Sequence, residues 1–123
     1  MTPTPLDIAK ILHVRDQTHV WHWQTTGYEI HSALGGFYEA WIEKADELIE
    51  TISRNQRFPM SCIVPPLTDY SGPDAVIAFL QSTENWIKTD LSTRVEPNEI
   101  GIENIVADLL NLASHTLYKL SLG

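Results

Sequence analysis

Hydrophobic residues in this chain recur at intervals of three and four, which is the repeat of one face of a helix. Four segments show it. The first opens with Leu6, Ile8, Ile11 and Leu12. Thr4 suits an N-cap and Pro5 a first helical position. This helix runs to about Thr25, where Gly27 ends it. The second runs from about Ile30 to Asn55, with Leu34, Phe37, Trp41, Ala45, Leu48 and Ile52 along one stripe. Ala33, Ala40, Ile42 and Ile49 widen that stripe. A helix apolar over so much of its circumference is buried on more than one side. One side is expected to meet the core and the other a second subunit.

Prolines 59, 65, 66 and 73 and Gly72 break the pattern over residues 56–73, which read as a long loop. Ser71, ahead of Pro73 and Asp74, is expected to start a third helix carrying Val76, Ile77, Leu80, Ile87 and Leu91. Glu96-Pro97-Asn98 is a turn. The fourth helix carries Ile102, Ile105, Val106, Leu109, Leu112, Leu117 and Leu120. No segment alternates convincingly as a strand would. The expectation is an all-α chain, a single domain over residues 1–123. Its architecture would be a four-helix bundle with a long crossover between helices two and three. The lengths permit this. Helix two, at about 25 residues, spans about 38 Å, and an 18-residue connection reaches roughly 60 Å when extended. Helix three can therefore begin beside the start of helix two.

Composition narrows the function. Acidic residues outnumber basic ones 16 to 8, for a formal charge of −8. That argues against nucleic-acid binding, which draws most of its affinity from a basic patch, and it suits cation binding. No apolar run is long enough to span a membrane, and MTPTPLDIAK lacks the regions of a signal peptide. Cys62 is the only cysteine, so no disulfide forms within the chain. A reducing compartment, the cytoplasm, is expected. Cys62 has no assignable partner and carries no catalytic signal.

Candidate chemistry concentrates at residues 19–31, HVWHWQTTGYEIH. His19 and His22, three apart, share a helix face, as do Asp46 and Glu50, four apart on helix two. Each pair has a bland alternative as part of a solvated surface, and Glu39, Glu43 and Glu47 make the acidic face general. Geometry adds a constraint. His31 and Asp46 are 15 residues apart on one helix, about 22 Å along its axis. In an antiparallel hairpin His22 stays near His31. His22 and His31 therefore cannot share a site with Asp46 and Glu50 inside one chain. They can share one across a two-fold axis that packs two copies of helix two antiparallel, giving two equivalent sites per dimer.

The order His22-Trp23-Gln24, Gly27, His31, Gly36-Phe37, Asp46 and Glu50 resembles the Dps branch of the ferritin-like superfamily. The likeness covers residues 20–52; beyond it lie only helix count, the long connection and a leucine-rich last helix. The family pattern is roughly HW, a glycine, a histidine followed by DGF, then DxxxE. The resemblance implies a ferroxidase that oxidises ferrous iron at sites shared between subunits, often with peroxide, and stores ferric mineral in a hollow shell. The implied iron ligands are His22, His31, Asp46 and Glu50, which suit Fe²⁺, with Zn²⁺ as the other metal of interest. Trp23 would lie beside the site. The resemblance implies a homodimer at least and extends to a shell. It implies no catalytic group apart from the ligands and no organic cofactor.

The chain departs from the family in three ways. Gly35 stands where the family has a further acid. That leaves a single-metal site, a site completed by Glu39 or Glu43, or a different metal. The basic N-terminal extension of DNA-binding members is missing, so no DNA binding is expected. The connection at 56–73 shows no helix and the chain is short, so a dimer is a sufficient assembly. Among the other residues, His31 also suits a capping role, and His19 a supporting or surface role. His13 and His115 are expected to be structural or solvent-facing, and Trp21, Trp41 and Trp86 to be packing residues. A scaffold that kept the dimer and lost the redox site is the competing function. A di-iron site within one chain ranks last, because Glu-x-x-His does not occur: Glu47 is followed three on by Glu50 and Glu103 by Val106.

Overall fold

A computed structural model describes residues 1–54, 57 and 61–122. Among the described residues the chain is all-α. Its helices are α1 (Pro5–Gln24), α2 (Tyr28–Ser53), α3 (Pro73–Thr89) and α4 (Ile100–Ser121), with a short 3-10 turn, Leu91–Arg94, before α4. None of these helices is long and apolar enough to cross a membrane.

α1 begins where the sequence places it. The Thr4 hydroxyl accepts from the Asp7 N–H, and the Asp7 carboxylate accepts from the Thr4 N–H, a reciprocal capping box. Asp7 is buried, and its Oδ2 also takes a 3.1 Å bond from Arg94 Nε in the 3-10 turn. The start of α1 is thereby tied to the α3–α4 connection.

α2 starts two residues earlier than expected. The His31 N–H donates to the Gly27 carbonyl at 3.0 Å, so Gly27 is the N-cap and His31 sits in the first turn. The capping role expected of His31 is thus corrected. The far end expected near Asn55 lies outside the described residues. The start of α3 is corrected as well. Its N-cap is Gly72, not Ser71, and no side chain caps it. Gly72 has φ +123°, a conformation that residues with a Cβ rarely adopt, so the turn falls on the glycine. Leu91 is buried as expected, but it lies on the 3-10 turn after α3 has ended.

α1 and α2 form a hairpin, α2 also packs on α4, and α4 on α3. Val14, Leu34, Trp41, Leu48, Leu80 and Leu109 are fully enclosed at their centre. Each such side chain contributes about 1.5–3 kcal/mol relative to exposure. The expected packing residues Trp21 and Trp41 are buried, and both indole N–H groups bond backbone carbonyls, those of Thr68 and Ile11.

Residues 61–72 have no helix or strand and run beside α1. Gln17 grips Thr68 three times: its Nε2–H donates to the Thr68 carbonyl at 2.9 Å, and its Oε1 accepts from the Thr68 N–H at 2.8 Å and from the Thr68 hydroxyl at 3.1 Å. Gln24 Oε1 accepts from the Tyr70 N–H at 2.6 Å, and its Nε2–H donates to Asp69. Gln17, Trp21 and Gln24 are four and three apart, so one side of α1 holds the strap. Through Gln24 it reaches the end of α1 at Tyr70, three residues before Pro73 opens α3.

Candidate metal-binding face

The α1–α2 turn is only Thr25 to Gly27, so the last turn of α1 lies against the first turns of α2. This brings His22 and His31 together. Their rings stack at 3.8 Å between centroids, 17° from parallel. The His22 Nδ1–H donates to the His31 carbonyl at 2.6 Å, and the His31 Nδ1–H donates to the His22 carbonyl at 2.8 Å. A carbonyl oxygen only accepts, so both protons are assigned to Nδ1. In the neutral rings each Nε2 then keeps its lone pair. Metal-binding histidines are commonly held in this way, with the non-ligating ring nitrogen donating to a carbonyl.

Gly35 explains how the rings fit. It lies one turn beyond His31, and a Cβ built on it would meet His22 Cε1 at 2.9 Å and Nδ1 at 3.2 Å. The space that a side chain at position 35 would take belongs to the His22 imidazole. The carboxylate missing at this position is therefore tied to the close approach of His22.

A ring cluster surrounds the pair. His19 stacks on Tyr38 at 4.0 Å and 18°, and touches Trp23 at 4.1 Å. Its centroid is 6.4 Å from that of His22. Tyr38, which the sequence reading did not single out, also meets His22 edge-on at 5.3 Å. Its position seven after His31 and four before Ile42 was the available signal. Trp23 lies in the cluster and is 68% exposed.

Asp46 and Glu50 lie far along α2, both exposed, and neither has an ion pair or hydrogen bond among the described residues. Glu39 and Glu43, also four apart, are likewise unpaired among the described residues, whereas Glu47 is paired. Glu47 shares Lys44 with Asp108 of α4, each at 3.2 Å, and their hydrogen bonds raise the Lys44 ammonium above its ordinary value. Glu39 and Glu43 are exposed, as expected. Between α1 and α2, at the Asp46 end, an apolar cleft of about 150 Å³ is lined by Ile8, Leu12, Ile42 and Ile49, with Arg15 and Asp46 as its charged members.

Among the described residues of one chain, no group of three or more His, Cys, Asp or Glu side chains converges as a metal site. The fold joins His22 to His31 and leaves Asp46 and Glu50 apart from them. His115 is exposed. His13 is partly buried, with Nε2 lacking a partner among the described residues and the ring edge-on to Phe79 at 5.6 Å. Cys62 is a half-buried free thiol.

A family model matches residues 22–120, a span that opens on His22 and contains all four candidate ligands. The chain belongs to a family of unknown function, DUF5856. Neither a curated protein nor a solved structure matches it.

Proposed function

We propose that this member of the family is a ferritin-like, Dps-related protein that takes up ferrous iron at a site shared between two copies of the chain. The four helices and the strap are read as a ferritin-like bundle with its crossover. The observation that carries the reading is the reciprocal His22–His31 clasp. Two carbonyls accept from both Nδ1–H groups and leave the Nε2 lone pair of each ring free where the end of α1 meets the start of α2. Toward the other end of α2 Asp46 and Glu50 stand four apart without partners among the described residues. An antiparallel two-fold pairing of α2 satisfies both halves at once, twice per dimer. Imidazole with carboxylate is a donor set suited to Fe²⁺, and Zn²⁺ would accept it as well.

In this reading His22 and His31 bind and orient the ion, and the partner's carboxylates neutralise its charge. Each ferrous ion yields one electron on oxidation. Two ferrous ions and two protons therefore reduce one hydrogen peroxide to two waters. With Cys62 as the only cysteine, the reading belongs in a reducing compartment such as the cytoplasm.

The test is complementation. Anaerobic titration of Fe²⁺ is expected to show binding to the wild type and at least about tenfold weaker binding to His22→Ala and to Asp46→Ala. Mixing equal amounts of the two variants is expected to restore about a quarter of the sites, because half of the dimers are heterodimers and one of the two sites in each holds intact His22 and intact Asp46. Wild type that binds no iron, or a mixture no better than its components, overturns the reading.

A second reading is a scaffold that keeps the pairing and has given up oxidation. Gly35 favours it, since a carboxylate donor is absent there and its place is filled by carbon and nitrogen of His22. Iron that binds but oxidises no faster than in buffer is the result this reading expects.

A further inference from the structure

On α1, Ile8, Leu12, Arg15, His19 and Trp23 succeed one another at four, three, four and four residues, so they form one stripe. The stripe begins as the wall of the apolar cleft and ends at Trp23. The α1–α2 face therefore carries a hole at one end and a knob at the other. The knob is unusual for this chain. Trp21 and Trp41 are buried with their N–H groups bonded, whereas Trp23 is 68% exposed and rests partly on His19. Its N–H has no partner among the described residues.

We infer that Trp23 of one copy of this chain inserts into the Ile8–Leu12–Ile42–Ile49 cleft of a second copy. The two-copy arrangement is that of the proposed function, and the inference rests on it. The register is that of the proposed shared site. Bringing His22 of one copy to Asp46 of the other brings the next residue, Trp23, to the cleft that Asp46 lines. A two-fold axis across the middle of the face makes the contact twice, as an isologous interface requires. The chemistry of the cleft suits an indole. Its walls are apolar, with Trp41 among them, Arg15 supplies a cation for the ring face, and Asp46 supplies an acceptor for the N–H. A buried indole covers about 150–250 Å². One indole and one set of cleft walls from each partner are a substantial part of the roughly 800 Å² per partner that a stable dimer buries.

The experiment is sedimentation equilibrium on the full chain. The wild type is expected to be dimeric. Trp23→Ala removes an exposed side chain and leaves the core intact; it is expected to weaken association by about 30-fold or more, the size of an anchoring aromatic. Ile42→Trp places an indole from the cleft's own wall into the hole and is expected to do the same, with circular dichroism verifying that both variants fold. Mixing the two variants restores one Trp23–cleft contact, and the mixture is expected to associate more tightly than either alone. A misfolded Ile42→Trp leaves the decision to Trp23→Ala. A monomeric wild type, or a dimer that Trp23→Ala does not weaken, overturns the inference, as does a mixture no tighter than its parts. An unweakened Trp23→Ala dimer that still binds Fe²⁺ through Asp46 overturns only the inference. Dissociation by Trp23→Ala with iron binding indifferent to Asp46→Ala overturns only the shared site.

Discussion

A histidine in this chain takes its role from what its two ring nitrogens meet. In His22 and His31 one nitrogen of each is occupied by a carbonyl. The spacing of the histidines suggested proximity, but the reciprocal bonds were not legible, because they depend on the width of a three-residue turn. Gly35 read as a lost ligand from sequence; in the fold it is also the opening that admits His22. His13 shows the opposite case. Its Nε2 is buried without a partner, and burial lowers the imidazole below its ordinary value. A bond to the Pro66 carbonyl and the charge of Asp16 oppose that shift, while Lys10 adds to it. The folded chain thus holds this ring deprotonated where the unfolded chain protonates it. Stability from His13 is present above the ordinary value near 6.5 and is lost as pH falls through it. His13→Leu is expected to lose less stability than wild type between about pH 7.5 and about pH 5.5 in urea unfolding; an equal loss would contradict this account.

At the scale of elements, α1 works on two sides. One stripe contributes to the face proposed to meet a second copy, and the Gln17–Trp21–Gln24 side holds the strap. Gln17 is 1% exposed, and both ends of its amide are used on Thr68. Gln17→Ala leaves the Thr68 N–H without its acceptor beside a cavity, while Trp21 still donates to the Thr68 carbonyl, and is expected to cost about 2 kcal/mol. Gln24→Ala, at the exposed end, is expected to cost less than about 1 kcal/mol, because water replaces its bonds. Chemical denaturation of the two variants checks the contrast. The helices themselves were legible from spacing, and the Thr4 cap from local chemistry. The start of α3 was misplaced by one residue, because a glycine conformation outweighed a serine that could cap. Leu91 was read into α3 because its hydrophobic spacing continues through the change to a 3-10 turn.

At the scale of the molecule, the proposed sites link metal to association. An ion held by two copies binds the dimer and not the monomer, so it stabilises the dimer by mass action. Adding Fe²⁺ anaerobically is expected to tighten wild-type dimerisation and raise the thermal midpoint by several degrees. Asp46→Ala is expected to show neither response in sedimentation or in melting. The charge of −8 sharpens the contrast, since bringing two acidic chains together is favoured by a cation between them.

By itself the sequence determined the all-α class, the order and approximate limits of the helices, the buried stripe of α2 and the reach of the strap. These follow from periodicities and chain lengths, which are local. It also required that His22 and His31 be separated from Asp46 and Glu50 within one chain, because a helix rises by a constant amount per residue. Only the tertiary structure decided the reciprocal histidine clasp, the space at Gly35, the grip of Gln17 on Thr68 and the cleft beside Asp46. Each arises where two elements distant in sequence approach within a few ångströms, and their packing sets that distance.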